Sequence, residues 1–227
     1  MENNCVIYVI DGNIGSGKSE LIKNLKMRIA IKDKTIIFLK EPVDEWATIK
    51  DKNGKTMLEM YYEDQERWSF SFQMMAYISR LALLQDTVRE NPSSIIIMER
   101  NMHTDKHVFA KMLHDTGKIH DCDMEIYTRW FDNFAKPYTS YKIIYVKTDP
   151  EICAERIVKR GRMGENIPLE FLRDCDKYHD EMISLYDEEN IIRIDGNHNC
   201  YETNVLDSWI ETIHAELSSV SLKSKND

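Results

Sequence analysis

Residues Gly12-Asn13-Ile14-Gly15-Ser16-Gly17-Lys18-Ser19 fit the pattern G-x-x-x-x-G-K-[ST], in which backbone amides, one lysine and one hydroxyl converge on a chain of phosphates. Glycines let amide N–H groups turn inward, and the N-terminus of a following helix adds its partial positive charge. Lys18 is expected to reach the β- and γ-phosphates of a nucleoside triphosphate, and the Ser19 hydroxyl to ligate magnesium. This chemistry requires a buried strand before the loop and a helix after it. Both are legible. Val6-Ile7-Tyr8-Val9-Ile10 is an apolar run of strand length, and from Glu20 onward Leu21, Ile22, Leu25 and Met27 recur at helical spacing.

Two more places combine a carboxylate with a strand end. The run 34–39 leads into Lys40-Glu41-Pro42-Val43, with Trp46 close behind. The run 94–98 leads into Glu99-Arg100, an arrangement that sets a carboxylate near magnesium and a fixed guanidinium in the same crevice. In an open parallel sheet the residues just past strand ends line the ligand site. Arg156, Arg160 and Arg162 crowd one stretch. Like charges that close repel, so a lid that brings guanidinium groups onto transferring phosphate is weighed against a plain basic patch.

The elements that must position these groups follow from periodicity. Strands are expected at 6–10, 34–39, 94–98, 141–146 and 191–196. A long helix is expected over 65–89, where Trp68, Phe72, Met75, Tyr77, Leu81 and Leu84 recur every three or four residues and Pro92 closes the element. Residues 51–55 read as a turn, the stretch through Asp105 and Phe109 as helical, and helices follow at 151–159, after Pro168 and over 201–217. The alternation predicts an α/β fold, a doubly wound five-stranded parallel sheet with helices on both faces and an arginine-rich lid. One domain over 1–217 and a disordered tail over 218–227 are expected.

Composition narrows the partners. The net charge of −9 over 227 residues argues against a nucleic-acid binder, and no apolar run approaches the ~20 residues that span a membrane. Five scattered cysteines, Cys5, Cys122, Cys153, Cys175 and Cys200, form no metal or redox pattern and read as thiols of a reducing compartment. With no room for a leader before the first strand, a cytoplasmic protein is expected.

A phosphate loop alone does not choose among kinases, GTPases and other ATPases. The missing Asn-Lys-x-Asp and the short chain favour a kinase for a small acceptor. At this point the chain resembles the deoxyribonucleoside kinases, in the branch that contains deoxycytidine and deoxyguanosine kinases. The markers are Asp11 through Ser19; Glu41-Pro42-Val43 with Trp46; Tyr62 ahead of Glu66-Arg67-Trp68-Ser69-Phe70-Ser71-Phe72-Gln73; Glu99-Arg100; and Arg160-Gly161-Arg162 before Ile167-Pro168-Leu169. They cover nearly the whole chain, in order and at family spacing.

The resemblance implies ATP-dependent phosphorylation of a deoxynucleoside 5′-hydroxyl, with Mg2+, by a homodimer. It implies that Glu41 is the general base, that Arg100 holds both that carboxylate and the phosphate, that Glu99 helps to place the metal, and that Arg156, Arg160 and Arg162 grip the donor. Asp195, in the last strand, would fall on the ATP side. Tyr62 would bond the sugar 3′-hydroxyl with Glu165 as its acidic partner, although the lid is one residue shorter than the family's, which makes Glu165 a gapped assignment. Gln73 would pair with the base edge and Phe109 stack on it, with Trp46 and Phe72 lining the pocket. Ala76, Arg80 and Asp105 would set specificity. A charged pair there disfavours the thymine methyl, because its approach strips water from the charges. Deoxycytidine and purine deoxynucleosides are therefore expected over thymidine. The alternatives are a thymidylate-kinase-type monophosphate kinase and a nucleotide-binding protein without turnover.

Overall fold

The computed structural model describes residues 5–138, 141–161, 167–198 and 203–220. Its centre is one sheet of five parallel strands: β1 (Val6–Asp11), β2 (Ile36–Leu39), β3 (Ile95–Glu99), β4 (Lys142–Lys147) and β5 (Ile191–Asp195). Their order is β2-β3-β1-β4-β5, so β1 is flanked by β3, with Ile10 opposite Glu99, and by β4, with Ile10 opposite Ile144. The chain winds to one side of β1 as far as β3 and to the other from β4 onward. The crevice of such a sheet lies where that direction reverses, at the carboxyl end of β1.

Alternation along the strands builds two cores. Tyr8, Ile10, Ile95, Ile97, Ile144 and Val146 face one side, against Leu21, Ile22 and Leu25 of α1 (Lys18–Arg28) and Ile210, Ile213 and Leu217 of α10 (Thr203–Ser219). Ile7, Val9, Ile96 and Met98 face the other, against Tyr77, Leu81 and Leu84 of α4 (Gln65–Glu90) and Tyr127 and Phe131 of α7 (Asp121–Phe134). Strands covered on both faces read as unbroken apolar runs, which is why they were legible.

The long helix α4 starts where the Asp64 side chain accepts the Arg67 N–H at 3.1 Å, a charge-assisted N-cap, and it ends at Asn91 before Pro92. Residues 51–55 form the expected turn, closed by Gly54 N–H to Asp51 O at 3.0 Å. Three helices of the described residues had no sequence counterpart: the short α2 (Val43–Trp46) and α3 (Met57–Glu63), the latter opened by a capping box of Thr56 and Glu59, and the 14-residue α7. After β3 the chain continues through α5 (Met102–Thr104), a π-helical segment (Asp105–Ala110) and α6 (Lys111–Asp115). The π segment carries both Asp105 and Phe109; such segments are commonest at functional sites.

Beyond β4 come α8 (Pro150–Arg160) and α9 (Leu169–Ile183). Helix α10 continues to Ser219, so Ser218 and Ser219, expected as the start of a disordered tail, are helical. Among the described residues no helix is long and apolar enough to cross a membrane. Ile97 is fully buried in the interior strand β3, so Ile97→Ala is expected to destabilise the protein by about 2–5 kcal/mol, read as a lowered urea midpoint with the denaturant slope unchanged.

Candidate active site

The loop between β1 and α1 closes on itself. Gly12, Gly15 and Gly17 all have positive φ. A Cβ at Gly15 would sit 2.6 Å from the Cys153 carbonyl oxygen, and one at Gly12 would collide with the Val146 carbonyl. Only glycine meets both demands at these positions. Inside the loop Lys18 Nζ donates to the Gly12 carbonyl at 2.9 Å and the Asn13 carbonyl at 2.6 Å. Burial, with the neighbouring Arg100, lowers the Lys18 pKa to about 8 against the opposing pull of Glu99, Asp11 and Glu41. Ser19 Oγ donates to Glu99 Oε1 at 2.7 Å. A hydroxyl and a carboxylate side by side at a phosphate loop are an oxygen donor set that suits magnesium, which keeps waters and substrate phosphates in its remaining positions.

Across the crevice lies a cluster of buried charge. Arg80, 1% exposed, donates from Nε to Asp105 Oδ2 at 2.9 Å, from Nη1 to the Glu99 carbonyl at 3.0 Å and from Nη2 to Glu41 Oε1 at 2.9 Å. Arg100 Nη1 approaches the same Glu41 oxygen at 3.5 Å. Burial by itself would raise the Glu41 pKa, but the Arg100 and Arg80 guanidinium groups override it and hold the carboxyl at about 2. Arg100 itself has φ 56, a left-handed backbone that costs a non-glycine residue of order 1–3 kcal/mol and is concentrated at functional sites. Its guanidinium also lies 5.0 Å from the Phe109 ring centroid.

The pocket side of α4 carries Phe72, Gln73, Ala76 and Arg80. Gln73 is 2% exposed, yet its Oε1 has no hydrogen-bond partner among the described residues. A buried amide left open is unusual, and a ligand group is one way to complete it. Trp46 stands edge-on to Phe72 with ring centroids 5.8 Å apart and donates Nε1–H to Ser79 Oγ at 2.8 Å, while Tyr61 stacks on Phe72 at 4.5 Å.

Of the groups expected from sequence, the structure brings together Lys18, Ser19, Glu99, Glu41, Arg100, Arg80, Asp105 and Phe109 at the loop and crevice, and Trp46, Phe72, Gln73 and Ala76 at the adjoining face of α4. Tyr62 is 38% exposed at the end of α3. Arg156 bridges Ser16 O at 3.2 Å and His198 O at 3.0 Å, tying the phosphate loop to the turn after β5. Asp195 shapes that turn by accepting the Asn197 N–H at 3.0 Å. Arg160 is exposed in the last turn of α8; Arg162 and Glu165 lie outside the described residues.

Three features were missed. Arg80 touches Glu41 as well as Asp105. The fully buried Asp11 accepts the Gly12 N–H at 2.7 Å and the Thr104 hydroxyl. His179, equally buried, faces Asp11. The signal for His179 was its spacing, four residues after Cys175 and seven after Leu172 on the buried stripe of α9.

A parallel sheet with a phosphate loop at its switch point, facing a carboxylate clamped by arginines, defines a phosphotransferase of the P-loop class. The deoxynucleoside kinase family model matches residues 8–216. A probable deoxycytidine kinase of Fowlpox virus (strain NVSL) is 32% identical over 196 residues, covering 83% of this chain and 77% of the viral protein. Human deoxycytidine kinase is 33% identical over 195 residues, 77% of this chain and 74% of the human one. Human mitochondrial thymidine kinase 2 is 30% identical over 180 residues, 78% and 64% of the two chains. The chain belongs to the deoxynucleoside kinase family; it is a kinase that phosphorylates nucleosides, with ATP as the donor the family implies. Of the alternatives open from sequence, the monophosphate kinase and the protein without turnover give way to this one.

The charge inside this loop has a defined pH dependence. A triphosphate held there would be favoured by a charged Lys18, and in the free protein that charge is lost as pH rises through about 8. ATP affinity measured by calorimetry is therefore expected to fall by up to about tenfold per pH unit above pH 8. Glu41 stays ionised throughout.

Proposed function

We propose that the kinase transfers the γ-phosphoryl group of ATP to the 5′-hydroxyl of deoxycytidine and purine deoxynucleosides in preference to thymidine. The buried Arg80–Asp105 ion pair beside the open amide of Gln73 carries the substrate reading. Gln73 would pair with the base edge over Phe109, with Trp46, Phe72 and Ala76 as the walls, and the charged pair would meet the exocyclic group. A thymine methyl would desolvate that pair without replacing any bond. Of the three relatives named above, one is a probable deoxycytidine kinase, one a deoxycytidine kinase and one a mitochondrial thymidine kinase.

Glu41 accepts the 5′-hydroxyl hydrogen. A carboxylate held at about 2 is a weak base, so its main contribution is to orient the hydroxyl for in-line attack, receiving the proton as the bond to phosphorus forms. Arg100 steadies Glu41 and, with Lys18, Arg156, Arg160 and Arg162, neutralises charge on the transferring group. Ser19 and Glu99 would hold Mg2+, which when bound offsets charge on the donor phosphates. Tyr62 and Glu165 would hold the sugar 3′-hydroxyl, and Asp195 would lie on the donor side.

A homodimer is supported by an apolar stripe. Ile126, Trp130 and Phe134 recur every four residues along α7 with exposures of 43%, 44% and 53%, and Ile78 on the adjacent α4 is 52% exposed. Tyr77 OH bonds the Trp130 carbonyl at 3.0 Å, which fixes the two helices together. A stripe of this kind marks an interface in a soluble protein. Free thiols at Cys122, Cys153 and Cys175 support a reducing, cytoplasmic setting, and the net charge of −9 supports small-molecule partners over nucleic acid.

A matrix of four deoxynucleosides against ATP, run on wild type, Glu41→Gln and the pair Arg80→Met with Asp105→Ala, tests the reaction. Wild type is expected to favour deoxycytidine. Glu41→Gln should lose on the order of 10²-fold or more in kcat while still binding ATP, and the double variant should gain relative activity on thymidine. Thymidine as the best wild-type substrate would sink the specificity, and an unimpaired Glu41→Gln the base. Separately, Trp130→Asp should shift a dimer to monomer in sedimentation, an outcome that requires the wild type to sediment as a dimer.

A further inference from the structure

One fully buried titratable side chain has no part in the reaction described above. His179 on α9 has 0% exposure. Its Nδ1 lies 2.6 Å from the Cys175 carbonyl oxygen, and because a carbonyl can only accept, that nitrogen carries a hydrogen. Its Nε2 is 3.5 Å from Asp11 Oδ1 and has no hydrogen-bond partner among the described residues. A neutral ring in this orientation turns a lone pair towards a buried carboxylate, two acceptors facing each other where water cannot intervene. A second proton, on Nε2, converts the same geometry into an ion pair. The edge of the ring meets Phe109, centroids 6.1 Å apart at 88°.

Asp11 is the last residue of β1 and governs the entry to the phosphate loop. It accepts the Gly12 N–H at 2.7 Å and the Thr104 hydroxyl. Burial would raise its pKa, yet His179, Thr104 and Arg100 together hold it at about 2. The next loop residue is tied to the same helix, since Asn13 Nδ2 donates to the Leu172 carbonyl at 2.8 Å. Of the two neighbours of Gly12, Asn13 is hydrogen-bonded to α9 and Asp11 faces it. Among the described residues the titratable and charged groups that act on Asp11 are His179 from α9, Arg100 just after β3, Lys18 from α1, His103 from α5, Tyr145 from β4 and Tyr186 after α9.

We propose that His179 is a positioning residue: as an imidazolium it pairs with Asp11 and, through Asp11, fixes the Gly12 end of the loop for the donor triphosphate. This rests on the reading of Gly12 to Ser19 as the ATP site. His179 touches neither substrate. Its removal leaves the buried Asp11 carboxylate with one cationic partner fewer, drawn away from Gly12 towards the cations that remain.

Two measurements on the full chain decide the matter. In the 15N spectrum of histidine-labelled wild type near neutral pH, with His179 assigned through its contact to Phe109, both ring nitrogens are expected to be protonated; an unprotonated Nε2 overturns the proposal. In calorimetry and steady-state assays, His179→Leu is expected to weaken ATP binding by roughly tenfold or more, the scale on which a misplaced binding group costs, with the nucleoside KM nearly unchanged. His179→Gln, which keeps a donor towards Asp11, is expected to recover most of that loss. A role confined to packing behind Phe109 would raise the nucleoside KM instead, and that result also overturns the proposal. If His179→Leu does not fold, the nitrogen spectrum alone decides. A wild type that binds ATP but phosphorylates no nucleoside would defeat the acceptor reading and leave the His179 result standing.

Discussion

A guanidinium group in the interior must have its donors matched, because an unpaired buried charge is far more costly than a lost contact. Arg80 sets this constraint here. Its three nitrogens reach Asp105 on the π segment, the last carbonyl of β3 and Glu41 after β2. Satisfying one side chain thus fixes the relation between three elements far apart in sequence. The walls of the crevice are as rigid as that set of bonds, and the carboxylate at Glu41 takes its orientation from it, while its low pKa is held by Arg100 together with Arg80. The glycine loop after β1 is held by a second buried set, Asp11, Thr104 and the Asn13 bond to α9, and Arg100 acts on the carboxylates of both sets.

The layers of the fold were readable from residue order because both faces of the sheet are covered. The apolar runs of β1, β3 and β4 have no polar alternation to confuse their reading, and Trp68 through Leu84 announce α4 by period alone. The short helices were not readable. Val43–Trp46 makes a single turn after Pro42, and Met57–Glu63 owes its start to the capping box at Thr56 rather than to any apolar stripe. The π segment after β3 has no sequence signature of its own, since a one-residue expansion of a helix leaves composition unchanged.

The candidate site was legible where a motif dictates backbone, as in Gly12 to Ser19, and where a charged residue ends or closely follows a strand, as at Glu99 and Glu41. What sequence could not supply was pairing. Arg80 read as a partner of Asp105, but its reach to Glu41 depends on how α4 crosses the strand ends. Asp11 and His179 are 168 positions apart, and only the packing of α9 against the end of β1 brings them face to face. Residue type and spacing nominate candidates; which of them neutralise one another is a tertiary fact.

The left-handed backbone at Arg100 bears on how any variant at that position is to be read. An arginine there has already accepted the conformational cost, so a replacement changes two quantities at once, the charge beside Glu41 and the ease of occupying φ 56. Asparagine tolerates that region better than most residues and isoleucine worse. Two neutral substitutions could therefore differ in stability for reasons unrelated to phosphate. Lysine, which retains the charge but not the planar fork, separates electrostatics from geometry while leaving the backbone demand nearly as it is. Position 100 is in this sense a hinge between folding and chemistry, and its mutational record will report both.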